Sequence, residues 1–145
     1  MIKTKSNKKE SKFKFLEHTA DVKFQASGKS LEEAFSNCVL ALRETITRGL
    51  KIQEKETQKI RVEGKDLENL LYAFLEEFLY LLDAKSFLVS KIKEIEIKDN
   101  KLTAIVVGDE AKNYKFSNPV KAITYNEMFV KQINNKWVCQ VVLDV

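Results

Sequence analysis

The chain's single histidine, His18, stands three residues before Asp21 in the stretch Phe15-Leu16-Glu17-His18-Thr19-Ala20-Asp21-Val22, where polar residues interrupt what otherwise reads as a β-strand. Each has an ordinary structural use. An imidazole can bond a nearby carbonyl, and an aspartate at a strand break can accept backbone N–H bonds and fix a bulge. At the far end, Trp137-Val138-Cys139-Gln140-Val141-Val142-Leu143-Asp144-Val145 reads as a last strand, with Asp144 beside the carboxylate of the last residue of this sequence. If Asp21, Asp144 and the Val145 carboxylate meet in the fold, three like charges repel unless protons or a cation neutralise them. A hard divalent ion is the simpler neutraliser. Oxygen-only ligands suit calcium, magnesium or manganese, with waters completing the shell.

Other chemistries find no support. There is no glycine-rich phosphate loop and no nucleophile elbow, and one histidine cannot build a zinc site with these two cysteines. A catalytic triad would need His18 as its base, but Ser27 and Ser30 occupy strand-end and helix-cap positions. Cys38 and Cys139 fall singly on a predicted helix and a predicted strand. They have neither disulfide nor metal spacing and are expected to be reduced core residues.

The formal net charge of +4 is misleading, because the first fourteen residues hold six lysines and one glutamate. Taking their +5 from the total leaves residues 15 to 145 at −1. The folded part should therefore carry no strongly basic nucleic-acid face. Residues 1 to 12 read as a disordered lysine-rich tail, since Met1 and Ile2 are their only apolar side chains. No window approaches the roughly 18 apolar residues of a membrane span, and no signal peptide is evident. A cytoplasmic protein without membrane attachment is the expectation.

The elements that must position these residues follow from periodicity. Ser30 and Glu33 form a capping-box pattern, and Leu31, Ala34, Phe35, Cys38, Val39, Leu42 and Ile46 make one helical stripe ending at Thr47 to Gly49. Ile60 and Val62 alternate as in a half-buried strand. Asp66 should cap a second helix whose apolar face runs Leu67, Leu70, Leu71, Phe74, Leu75, Phe78, Leu79 and Leu82. From Phe87 the period becomes two, with a hairpin turn at Asp99-Asn100, a long polar loop from Gly108 to Pro119, and a second hairpin turning at Asn134-Asn135. The predicted order is strand, helix, strand, helix and four strands. This is an α+β single domain, two main helices packed on a largely antiparallel sheet.

His18-Thr19-Ala20-Asp21-Val22, the Gly28-Lys29-Ser30-Leu31-Glu32-Glu33-Ala34-Phe35 helix entry, Lys121-Ala122-Ile123-Thr124-Tyr125 and the Leu143-Asp144-Val145 ending together resemble the archease family over about residues 13 to 145. The resemblance implies a metal-binding accessory protein that activates an RtcB-type tRNA-splicing RNA ligase. It would promote guanylylation and multiple turnover of the ligase in tRNA exon joining, contact tRNA through the ligase, and hold no reactive intermediate itself. It also implies a divalent cation on Asp21, Asp144 and Val145, with His18, Lys121 and Tyr125 in supporting or partner-contact roles. Where the family's block usually reads Thr-Tyr-His, this chain has Thr124-Tyr125-Asn126. One titratable group is thereby lost, although asparagine still donates and accepts hydrogen bonds. The alternatives are a stand-alone RNA-binding module using the lysine tail and a metal-dependent phosphate-ester hydrolase.

Overall fold

The computed structural model describes residues 11–18 and 20–145, so most of the expected lysine tail lies outside the described residues. The expected interrupted strand is a hairpin. β1 (Phe13–Leu16) and β2 (Asp21–Gly28) pair antiparallel, Leu16 opposite Lys23, and Glu17, His18 and Ala20 lie in the connection between them. Ala20 there takes a left-handed φ of 67°, a conformation that turns the chain where extended residues would run on. Then come α1 (Leu31–Thr47), β3 (Glu56–Glu63), α2 (Leu67–Lys85), β4 (Phe87–Lys98), β5 (Lys101–Glu110), β6 (Ala122–Ile133) and β7 (Lys136–Asp144).

The strands form two antiparallel sheets, not one: a four-stranded sheet in the order β1-β2-β7-β6 and a three-stranded sheet in the order β3-β5-β4. α1 packs on β2, β4 and β7, and α2 on β6, β3 and β4, so both helices bridge the sheets. Their stripes are the ones the sequence spells. Phe35, Cys38, Val39 and Leu42 of α1 and Leu70, Leu71, Phe74 and Leu75 of α2 are completely buried, against Phe24, Val141 and Leu143 of one sheet and Leu102 and Val106 of the other. Phe35 stacks on Phe74 at a ring-centroid distance of 6.2 Å, and Phe78 meets Phe74 edge-on at 5.2 Å.

Local chemistry fixes the helix ends. The Ser30 hydroxyl accepts the Glu33 N–H at 3.0 Å, and the Asp66 carboxylate accepts the Asn69 N–H at 2.8 Å. Glu33 reaches back one residue further than a standard capping box, to the N–H of Lys29. Asp99 and Asn100 both have positive φ, as do Asn134 and Asn135, which is the geometry a two-residue hairpin turn requires.

One loop expectation fails. β5 continues through Gly108 and Asp109 to Glu110 and is followed by a 3-10 turn at Ala111–Asn113, so the loop starts later than its polar composition suggests. Gly108 lets the backbones crowd, because a Cβ there would lie 2.2 Å from the Leu88 carbonyl oxygen. Asp109 is only 3% exposed. Its carboxylate accepts the Tyr114 hydroxyl at 2.7 Å and the Glu110 N–H at 2.8 Å, and these bonds compensate its burial.

Candidate functional site

β2 and β7 alternate. Phe24 and Ala26, with Cys139, Val141 and Leu143, point at the helices and are buried, which leaves Asp21, Lys23, Gln25, Gln140, Val142 and Asp144 on the opposite, outer face. The register sets Asp21 directly opposite Asp144, Lys23 opposite Val142 and Gln25 opposite Gln140. The two ends of the sequence thus bring two carboxylates onto one sheet face, where directly opposed like charges are destabilising. Among the described residues neither has a lysine or arginine within ion-pair distance.

The third element of the site is β6, whose Ala122 pairs with Asp144 on the other side of β7 and whose Thr124 pairs with Val142. The next registered pair is Phe129 with Gln140. β7 has moved two residues there and β6 five, so three extra residues bulge from β6. Within the bulge Glu127 has φ 54°, and its carbonyl accepts the Gln140 side-chain N–H at 2.8 Å. Gln140 in turn accepts from Gln25 at 2.8 Å, and Thr124 Oγ1 donates to the Val142 carbonyl at 2.9 Å. Val142 is completely buried yet stands apart from the core cluster, so this patch of the outer face is itself covered.

The bulge delivers the Glu127 carboxylate. Its Oε1 accepts from Lys23 Nζ at 2.9 Å and its Oε2 lies 3.0 Å from His18 Nε2. The hydrogen bond from Lys23 and then that from His18 hold the Glu127 carboxyl below the usual carboxylate range. The other imidazole nitrogen, Nδ1, is buried 3.8 Å from Asp21 Oδ2 and has no hydrogen-bond partner among the described residues. Among the described residues the ring makes no bond to a carbonyl. Sequence reasoning missed Lys23 and Glu127. The one sequence signal for Glu127 is the polar run Tyr125-Asn126-Glu127, which breaks the alternation of its strand.

The remaining expected residues divide. Lys121 gives its backbone N–H to the Asp144 carbonyl at 2.7 Å, with the residue exposed. Tyr125 stacks on Tyr72 of α2 at 4.2 Å and its hydroxyl accepts from Asn69 at 2.6 Å, so it ties β6 to a helix while staying half exposed. Asn126 is exposed and its N–H donates to Thr124 Oγ1. Val145 is half-buried and packs against the core, lining a surface depression with Phe15, Val22, Arg48 and Pro119. Cys38 and Cys139 are buried free thiols, and burial with the neighbouring Cys139 sulfur pushes the Cys38 thiol well up.

Among the described residues no three His, Cys, Asp or Glu side chains come together closely enough to hold a metal ion alone. The donor set can still suit a hard cation. Asp21 and Asp144 face each other in register, among the described residues without a lysine or arginine partner, and the His18 Nδ1 lies 3.8 Å from Asp21 Oδ2.

This fold and site define a class: a small α+β domain of two antiparallel sheets closed over two helices, with a polar carboxylate site where its second and last strands pair. The chain belongs to the archease family, whose family model matches residues 13–145. The archease of Pyrococcus furiosus is 41% identical over 135 residues, covering 89% of this chain and 95% of that protein, and that of Pyrobaculum neutrophilum is 36% identical over 143 residues, covering 94% and 97%. The solution structure of Methanobacterium thermoautotrophicum protein 1598 superposes with a TM-score of 0.79 at 33% identity, covering 92% of this chain and 99% of that one. A Thermotoga maritima crystal structure, described as an archease and possible chaperone, shares the fold with a TM-score of 0.60 at 17% identity, covering 97% and 99%. Among the described residues no helix is long and apolar enough to cross a membrane.

Proposed function

We propose that this chain is a metal-binding accessory protein that activates an RtcB-type tRNA-splicing RNA ligase, promoting its guanylylation and so its multiple turnover in tRNA exon joining. The observation that carries the reading is the in-register pairing of Asp21 with Asp144, two carboxylates that among the described residues have no lysine or arginine within ion-pair distance. Asp21, Asp144 and the Val145 carboxylate would hold a calcium, magnesium or manganese ion on the outer sheet face. When bound there, the ion would supply positive charge that orients phosphates or stabilises charge developing on them. The chain's own residues bind and orient. The hairpin presents Asp21, the last strand presents Asp144, and the half-exposed Tyr125 and the Lys121 side chain offer contacts for the ligase.

In this reading the protein turns over nothing by itself. Guanylylation of the purified ligase by labelled GTP, followed with and without this protein, tests it: the wild type should raise the rate and the number of turnovers, and Asp21→Asn should not. No effect of the wild type would refute the proposal. Hydrolysis of a phosphate ester in the absence of ligase would point instead to a metal-dependent hydrolase.

A further inference from the structure

We propose that the outer face of the three-stranded sheet is a self-association surface, on which a second copy of this chain sits about a two-fold axis running along β5. The inference is independent of the cation reading, because Asp21 and Asp144 belong to the other sheet. The register lines up rows of residues across β3, β5 and β4. Lys59 stands opposite Ile105, which stands opposite Glu94. Two residues along, Arg61, Thr103 and Glu96 make a second row, and Glu63, Lys101 and Lys98 a third. The residues between the rows, Ile60, Ala104 and Leu102 among them, are buried on the inner face, so the rows point outward. All of their members are exposed except the half-buried Ile105.

Each row carries charge of one sign on β3 and of the opposite sign on β4, two strand spacings or about 10 Å apart. Among the described residues none of the charges in these rows is in an ion pair. A copy turned over about an axis along β5 sets its β3 above β4 of the first and its β4 above β3, while each row stays over the same row. Lys59 then meets Glu94, Arg61 meets Glu96 and Glu63 meets Lys98, each contact made twice because a two-fold operator repeats it. The third row has its signs reversed on both strands at once, and so remains complementary. An axis across the strands at the second row would instead set Arg61 on Arg61 and Glu96 on Glu96. Along β5, Ile105 packs on its own copy at the centre, and the like-charge contact within the rows is Lys101 with Lys101 at the exposed hairpin end. Three rows with one apolar side chain make less than a standard interface, so the association should be weak and sensitive to salt.

Sedimentation equilibrium of the full chain at low salt, from micromolar to near-millimolar concentration, should show a monomer–dimer equilibrium that about 0.5 M NaCl shifts to monomer. Lys59→Glu with Arg61→Glu, or Glu94→Lys with Glu96→Lys, sets like charges against each other and should weaken the dimer by at least about tenfold. Their melting temperatures should stay near that of the wild type, since these side chains are exposed. All four changes in one chain exchange the signs and should restore the homodimer, and an equimolar mixture of the two double variants should form a heterodimer. A wild type that stays monomeric throughout, or folded double variants that dimerise as well as it does, would overturn the surface. Heterodimers from the mixture without recovery in the four-fold variant would overturn the axis along β5.

Discussion

Asp21 and Asp144 stand directly opposite one another on neighbouring antiparallel strands, separated by almost the whole chain in sequence and by one strand spacing in the sheet. Such a pair costs roughly 0.2–1 kcal/mol when both are charged and unneutralised. Asp21→Asn should therefore leave the melting temperature of the metal-free protein unchanged or slightly raised. Ligand binding to the folded state stabilises it by RT ln(1 + [L]/Kd), so millimolar Mn2+ or Ca2+ should raise the wild-type melting temperature and not that of the variant. Thermal scans with and without the ion check this. A variant that melts well below the wild type in chelator would make Asp21 a structural residue.

The proposed site counts the main-chain carboxylate of Val145 as a ligand charged at neutral pH, the reference pKa of such a group being about 3.3–3.7. A short uncharged extension after Val145 converts it to a neutral amide and should weaken cation binding and ligase activation together. The same extension before Met1 should change neither. Calorimetry on the two tagged forms, beside the guanylylation assay, reads the asymmetry, and equal behaviour would remove Val145 from the site.

Far from the site, the hydrogen bond from Tyr114 holds the buried Asp109 carboxyl below its ordinary pKa, with help from the Glu110 N–H. A carboxyl whose folded pKa is depressed binds more protons unfolded than folded. Its contribution is then fully present above the unfolded pKa of about 3.9 and is lost as pH falls through the folded value. Tyr114→Phe should lower the melting temperature by a few degrees at pH 7 and by progressively less as pH falls through the folded value and the carboxyl takes up its proton in both states. Melting curves across that range decide it. A loss that does not depend on pH would assign the effect to packing alone.

Phe74 is completely buried and contacts both Phe35 and Phe78. Truncation to alanine removes the ring from the middle of the core and should cost about 3–5 kcal/mol. Urea unfolding at constant slope measures the loss, and a cost under about 1 kcal/mol would mean that the helices repack around the gap.

Both helices were legible because their signals are local: a capping hydroxyl or carboxylate, an apolar step of three and four, and a chain reversal at the end. The turns at Asp99-Asn100 and Asn134-Asn135 were equally plain, since few residues accept positive φ. The strand from Gly108 to Glu110 was not. Its polar residues read as loop because nothing in sequence shows that Asp109 meets the Tyr114 hydroxyl or that Gly108 lies against the Leu88 carbonyl.

The site divides in the same way. By itself the sequence determined the residue types that could bind a cation, the two strands that carry Asp21 and Asp144, and the family whose motifs they match, because composition, period and motif are properties of neighbours in the chain. Only the tertiary structure decided that β2 and β7 pair in the register that sets those carboxylates face to face, that the strands divide between two sheets, and that a three-residue bulge in β6 carries Glu127 to Lys23 and His18. Register shifts of one residue would put the same side chains on the opposite face. What fixes the register is the burial of Phe24, Val141 and Leu143 against helices encoded elsewhere in the chain.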